Sequence, residues 1–318
     1  MSIKVLHITT NYPTPEYPIF GIFVKEQVES LEKQGVDCDV FYCDGKGRGF
    51  WQYLSYVPRL WWKSLFGGYD LLHCHHALSA ILLWLTGAPL FKKVILSYQN
   101  DPSNEWGDRW FRRFNRRFKA FIVKNRSDYL RYPKVHYLPN GCNESFFRPL
   151  DKLECRRRLG WDPARKYIIF MDSKRGVRTQ KRKDRFDAAV GILRNEYGYD
   201  AEPVVMLNVA RDLVPIYLNA ADLHMISSDF EGSPNSVKEC MCCNTPVVST
   251  DVGNVKDMIG DIPGAYVTES TPEALAAACD KVLSSAVPFG GRDAFLAKGY
   301  GMDAVAERLV KLYENIVN

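Results

Sequence analysis

The sequence predicts an α/β protein built as two doubly wound units, each with a parallel sheet. Three observations carry that expectation. Strand-like and helix-like runs alternate along the chain, the alternation begins afresh past the middle, and 318 residues suffice for two units that each bury a core.

The first strand is expected over Lys4 to Thr9, followed by a Pro- and Tyr-rich loop from Asn11 to Phe20 and a helix from about Gly21 to Gln34. Asp37 to Tyr42 and Leu71 to His75 read as the second and third strands. A helix over Ala77 to Thr86 leads to a strand at Val94 to Tyr98, and Tyr137 to Gly141 closes this half. The second half repeats the plan with a strand at Tyr167 to Met171, a helix near Phe186 to Tyr197, and strands at Pro203 to Asn208, Leu223 to Ile226 and Pro246 to Ser249. The expected divide lies near Phe147 to Leu150, giving domains over 1–149 and 150–300. The segment 301–318 carries Val305, Leu309, Leu312 and Ile316 at helical spacing. In open parallel sheets ligands sit beyond the C-terminal ends of the strands, so two such domains facing one another would place a site in a central cleft.

A hydrophobic fraction of 46% with 25% charged residues is ordinary for a globular chain. The longest apolar candidate, Ala77 to Leu90, falls short of the roughly 20 residues that span a bilayer. Nine cysteines without a disulfide framework suit a reducing, cytoplasmic setting. Cys240 and Cys243 form a lone C-x-x-C spacing with no second pair to complete a zinc site. Charge divides unevenly: residues 1–185 hold 33 Lys/Arg against 18 Asp/Glu, and residues 186–318 hold 9 against 19. The basic half suggests an anionic partner.

The most specific stretch runs from Asp229 to Ile259. Glu231 and Glu239 stand eight residues apart, separated by a Gly-Ser-Pro-Asn-Ser turn that opens a helix. Pro234 suits a first helical turn, and Ser233 and Asn235 suit capping. A helix N-terminus attracts phosphate, and a carboxylate about one turn further in would accept hydrogen bonds from ribose hydroxyls. The pattern therefore suits a nucleoside-diphosphate sugar, against the plainer reading of a capped helix with solvated glutamates.

The run from Tyr217 to Gly253 resembles the donor site of the retaining GT-B glycosyltransferases of family four, also called group 1. The residues that carry the likeness are Leu218 to Asp222, Ser228, Glu231 to Asn235, Lys238-Glu239, Pro246 to Val248 and Val252-Gly253. The resemblance implies two Rossmann-like domains facing a cleft, with the last helix crossing back to the first. It implies transfer of a sugar from a UDP- or GDP-type donor to a glycan or lipid-linked acceptor, in cell-surface polysaccharide or glycolipid synthesis. Glu239 would hold the ribose, Ser233, Pro234 and Asn235 the phosphates, and Glu231 the donor sugar. Arg178 and Lys183, with Lys181 as substitute, match the family's phosphate-binding cations, so that neither metal nor other cofactor is called for.

His73 and His75 resemble the family's His-x-His strand end on the acceptor side, and His75 is the stronger catalytic candidate. Gln99 stands where the family has a histidine beside the donor sugar, followed by Asn100 and Asp101. A glutamine cannot carry a proton, although it can bond a sugar hydroxyl. Gly21 matches one of the glycines that many relatives place against ligand. Two alternatives stay open: a GT-B-like protein that binds nucleotide sugar without turning it over, and an epimerase of the same fold.

Residues 106–126 are expected as a helix with Trp110, Phe111, Phe114, Phe118 and Phe121 on one side and Arg109, Arg112, Arg113, Arg116, Arg117 and Lys124 on the other. Its basic face could meet anionic lipid headgroups at the inner face of a membrane, with Trp51 to Phe66 adding interfacial aromatics. The plainer reading packs the aromatics on the first domain. Nothing resembles a nucleic-acid module.

Overall fold

The computed structural model describes residues 2–45, 49–172, 178–207 and 209–318, and of Phe50 the backbone alone. The middle of the expected basic loop (173–177) and Asn208, the expected end of a strand, lie outside the described residues. The chain divides into two compact units, Met1–Gly141 with Met302–Asn318, and Cys142–Gly301.

The first unit is built on six strands: β1 (Lys4–Thr9), β2 (Asp37–Tyr42), β3 (Leu71–His75), β4 (Lys93–Ser97), β5 (Ala120–Val123) and β6 (Val135–Tyr137). Their spatial order is β2-β1-β3-β4-β5-β6, and every pairing is parallel. Both faces are covered, so β1, β3, β4 and β5 are buried along almost their whole length, while the edge strands β2 and β6 are partly exposed. One face packs the helices Val57–Phe66, Ala77–Leu85 and Gly107–Asn115, with Leu6, Leu72, Leu96 and Phe121 beneath them. The other packs Val5, Leu71, Ile95 and Ile122 under the final helix, Met302–Val317, which contributes Val305, Leu309 and Tyr313. This last helix also lies on helix Ile22–Lys33, where Ser30 Oγ donates to Asp303 Oδ1 at 2.9 Å. The GT-B expectation that the terminal helix returns to the first unit therefore holds.

The second unit carries β7 (Lys166–Met171), β8 (Ala201–Met206), β9 (Leu223–Ile226), β10 (Val247–Thr250) and β11 (Tyr266–Thr268), in the order β11-β10-β9-β7-β8. All are parallel. Helices Lys183–Asn195 and Pro272–Ser284 cover one face over Ile168, Met225 and Val248; helix Asn235–Cys243 covers the other over Ile169, Ile226 and Val247.

One expectation is corrected. Residues 106–126 do not form a single helix: helix Gly107–Asn115 is followed by a turn and then by β5. Phe111, Phe114, Phe118 and Phe121 are all buried, with Phe114 and Phe118 stacked at 4.8 Å and Phe118 6.0 Å from Phe121. Burying four such rings is worth roughly 1.5–3 kcal/mol each, which outweighs continuing the helix. The chain is instead drawn back to the sheet, where Lys119 N donates to Val94 O (2.8 Å) and Ala120 pairs with Ile95. Arg109, Arg112, Arg113, Arg116 and Arg117 remain exposed, whereas Lys124 of the expected basic side is buried, and of the aromatics Trp106 is exposed and Trp110 half-buried.

Candidate functional site

In the second unit the expected donor residues gather at the C-terminal ends of β7, β9 and β10. The loop after β9 is stitched to the loop after β7: Ser227 Oγ donates to the carbonyls of Lys181 and Arg182 (2.9 Å each), and Asp229 N donates to Gln180 O (2.8 Å). Arg185 adds Nη1 to Ser227 O (2.6 Å) and Nη2 to Asp229 Oδ1 (2.9 Å). This brings Lys181 Nζ to 2.6 Å from Glu231 Oε1, with the two side chains only 11% and 14% exposed. Ser228 Oγ donates to the same oxygen at 3.0 Å.

Gly253 closes this loop from the other side. Its φ is +57°, and a Cβ there would lie 2.2 Å from Gly232 O and 2.9 Å from Glu231 O. Only glycine allows the backbone after β10 to press on the Glu231-Gly232 segment.

The other two cations diverge from Lys181. Arg178 binds Asp172 through N (2.6 Å to Oδ2) and Nε (3.0 Å to Oδ1) and is half-exposed. Lys183 sits in the first turn of its helix, and Nζ turns to Asp187 at 2.6 Å, one turn on. The structure thus brings Lys181, of the three, to Glu231.

Helix Asn235–Cys243 begins one residue later than the capping pattern implies. Pro234 is its N-cap, extended at ψ 116°, and no side chain caps the helix. Ser233 and Asn235, expected to cap, instead leave Ser233 Oγ and Asn235 Oδ1 shielded from solvent with no hydrogen-bond partner. Unpaired buried polar atoms are costly, and at a helix N-terminus they mark a place prepared for a polar ligand. The assignment of the Asn235 amide is reversible, so it can present either N–H or oxygen to that ligand.

The first turn is held from below: His224, on β9, meets Ile169 O through Nδ1 (3.0 Å) and Ser236 Oγ through Nε2 (3.2 Å). Burial pushes His224 down to about 4, so it is neutral at physiological pH. Glu239 lies one turn in, its Oε1 3.9 Å from Arg211 Nη1, and the Arg211 guanidinium rests 5.3 and 5.4 Å from the Phe146 and Phe147 rings. The adjacent Lys238 is fully buried and pushed down to about 8 by desolvation. Cys240 and Cys243 are free, buried thiols whose ionisation burial pushes upward, as small apolar residues would be placed.

In the first unit His73 and His75 are fully buried. His73 bonds Tyr313 OH through Nδ1 (2.5 Å) and Ser97 Oγ through Nε2 (2.8 Å), while His75 Nε2 meets His7 Nδ1 at 3.1 Å. Burial first, then the neighbouring imidazoles and the Lys124 ammonium, holds His73 and His75 well below the usual histidine range. The nitrogens of His7, His73 and His75 lie within 4.8 Å of one another, but this enclosed trio beside an ammonium is an unfavourable place for a cation.

The residue that reaches a pocket is the next one, His76. Its backbone is strained (φ 71°, ψ 149°), and it lines a pocket of about 470 Å³ with Asn11, Tyr53, Asn104, Glu105 and Trp106. Asn11 Nδ2 donates to His76 Nε2 (2.7 Å), while His76 Nδ1 lies 3.8 Å from Glu105 Oε1. Glu105 is 8% exposed and accepts from the backbone of Gln99 (2.6 Å), Asn100 (2.7 Å) and Ala77 (2.9 Å). Burial pushes its carboxyl up, yet the bonds from His76 and the backbone outweigh that and hold it below the usual range.

Gln99 sits behind this pocket: its Oε1 accepts from Asn140 Nδ2 (2.8 Å), and its Nε2 is shielded and unpartnered. Asp101 is occupied by Ser103 and Ser127 as a turn-forming carboxylate. Gly21 (φ +70°) packs its Cα against Asn11, where a Cβ would lie 2.2 Å from Asn11 O. Sequence reading missed His76, Glu105 and Arg211; the one available signal was the doubled histidine at the end of β3.

Residues 183–285 match the family described as "Glycosyl transferases group 1". The chain is 25% identical over 244 residues to the lipopolysaccharide core biosynthesis mannosyltransferase LpsB of Rhizobium meliloti (strain 1021), covering 65% of this chain and 69% of that protein. In structure it is similar to sucrose-phosphate synthase of Thermosynechococcus elongatus, with a TM-score of 0.78, 16% identity and 98% of both chains covered. It is also similar to Anabaena HepE in complex with UDP and glucose, with a TM-score of 0.70, 12% identity, and 98% of this chain and all of the other covered. At those identities the two structures speak for the fold alone.

Proposed function

We propose that the chain is a group 1 glycosyltransferase of GT-B fold and that it transfers a hexosyl group, with retention, from a UDP- or GDP-type sugar to a glycan or lipid-linked acceptor in cell-surface polysaccharide or glycolipid synthesis. The observation that carries the reading is the unpartnered pair Ser233 Oγ and Asn235 Oδ1 at a helix N-terminus, with Glu239 one turn further in. The diphosphate sits on that helix tip, Glu239 takes the ribose hydroxyls, and Glu231 orients the donor sugar. Lys181 and Arg178 neutralise the charge that grows on the departing diphosphate, and Lys183 adds a weaker, solvent-screened field; the chemistry then asks for no metal. That HepE, a protein of the same fold, is seen with UDP and glucose is in keeping with a nucleotide-sugar donor.

In a retaining reaction the leaving phosphate oxygen receives the acceptor proton, so Gln99 need not carry one. The acceptor is received on the first unit, at the pocket of His76, Asn11 and Trp106. Nine free cysteines support a cytoplasmic setting.

Titrating UDP, GDP and their common sugar conjugates by calorimetry, then following the anomeric configuration of product by NMR, tests this. Micromolar donor binding and an α-to-α or β-to-β product are expected; inversion removes the retaining assignment. Gln99 in place of a protonatable group favours a second reading, a nucleotide-sugar binding protein without turnover. Binding with no product from any acceptor would decide for it.

A further inference from the structure

A histidine ring lies in the apolar layer beneath the donor helix, where a leucine would pack at lower cost. His224, on β9, is buried and pairs in register with Ile169 on β7 and Val247 on β10. Helix Asn235–Cys243 packs on that face with Val237, Cys240 and Met241, all buried. A buried polar ring is tolerated when both of its nitrogens are bonded, and here both are. Nδ1 lies 3.0 Å from Ile169 O, and Nε2 lies 3.2 Å from Ser236 Oγ.

These partners fix where the hydrogens are. A carbonyl oxygen only accepts, so Nδ1 carries the hydrogen of the ring. Burial pushes His224 down to about 4, which leaves Nε2 as a lone pair at neutral pH. Ser236 Oγ must therefore donate to it. This bond ties to the sheet a first turn that has no cap of its own, since the N-cap Pro234 makes no side-chain hydrogen bond. A side-chain cap would occupy the N–H groups at the helix tip, which are the groups a diphosphate takes. The tie through Ser236 orders the turn without covering them, and Ser233 Oγ and Asn235 Oδ1 stay unpartnered beside them.

We propose that His224 is a positioning residue for the donor: through Ser236 it holds the helix tip in the geometry that receives a nucleoside diphosphate. This role rests on the donor reading. It differs from the plain packing of an aromatic ring, because it needs a hydrogen-bond acceptor at one place, that of Nε2. A glutamine at 224 keeps such an atom, since its amide reaches as far as Nε2 does. An asparagine reaches only as far as Nδ1 and meets Ile169 O alone.

Calorimetric titration of UDP and of GDP into the parent and its variants tests this, with thermal unfolding followed for each. His224→Gln should bind within about twofold of the parent, and His224→Asn and Ser236→Ala about tenfold more weakly. Combining His224→Asn with Ser236→Ala should cost no more than either alone, because both remove the same bond. Ser236 is half-buried and outside the apolar layer, so Ser236→Ala reports even where His224→Asn does not fold. Proton–nitrogen NMR of the parent's side chains should show His224 as the neutral Nδ1–H tautomer. Parental affinity in Ser236→Ala, equal losses in His224→Gln and His224→Asn, or an Nε2–H tautomer would overturn the role while leaving the donor reading in place. A parent that binds neither nucleotide would remove the donor reading, and this role with it.

Discussion

The ammonium of Lys181 stands 2.6 Å from Oε1 of Glu231, in a contact less than one-sixth exposed on either side. It joins the loop after β7 to the loop after β9 and sets a cation beside the carboxylate assigned to the donor sugar. Lys183, two residues on, is spent on Asp187 in its own helix. Lys181→Met should therefore weaken donor binding by roughly tenfold, and Lys183→Ala by less than about twofold. Calorimetry on the two variants checks this; the reverse order would return the phosphate role to Lys183.

Gly253 supports the same loop by having no side chain. Gly253→Ala would place a methyl group 2.2 Å from Gly232 O in a left-handed conformation. A loss of about 2 kcal/mol or more in urea unfolding is expected, with donor affinity falling as the Glu231 segment is displaced. A variant as stable as the parent would show that the two loops are not in contact.

The pocket of the first unit makes a separable prediction. His76→Ala removes the ring that Asn11 and Glu105 hold at a strained backbone position. The acceptor KM should rise about tenfold while nucleotide affinity stays unchanged. Glu105→Gln replaces a carboxylate that accepts from three backbone N–H groups and should cost on the order of 1–3 kcal/mol of stability. Steady-state kinetics with thermal unfolding distinguishes the two effects.

Acid should unfold the protein early. Burial lowers His224 to about 4 and His7 to about 3, and holds His73 and His75 well below their ordinary value. Each of these groups binds a proton more readily when unfolded. Their contribution to stability is fully present above the unfolded value of 6.5 and is lost as pH falls towards the folded values. For His224 alone the shift amounts to on the order of 3 kcal/mol. The melting temperature should fall steadily from pH 7 to pH 4.5; a flat profile would mean that these rings are hydrated.

Much of this was legible in the sequence, for physical reasons. Strands buried on both faces leave largely apolar runs, so Lys4–Thr9, Leu71–His75 and Leu223–Ile226 coincide with expectation, as does the partly exposed edge strand Asp37–Tyr42. The start of the donor helix, with Glu239 one turn in, shows in its turn chemistry. β5 was hidden because the phenylalanines from Phe111 to Phe121 keep helical spacing through a turn, and β6, at three residues, is too short to show a period. The family resemblance pointed to His73 and His75, which strand alternation sets on one face. That face, however, is covered by Tyr313 of the final helix, a long-range contact that local pattern does not contain. His76 acts through a positive φ, for which a histidine gives no local cue.

Titration of UDP and of GDP into the parent protein and into Glu239→Ala tests the central claim most directly. The account expects micromolar binding of one nucleotide to the parent and at least a roughly tenfold loss in the variant, whose fold is otherwise intact. Unchanged affinity in Glu239→Ala, or no binding of either nucleotide to the parent, would contradict it.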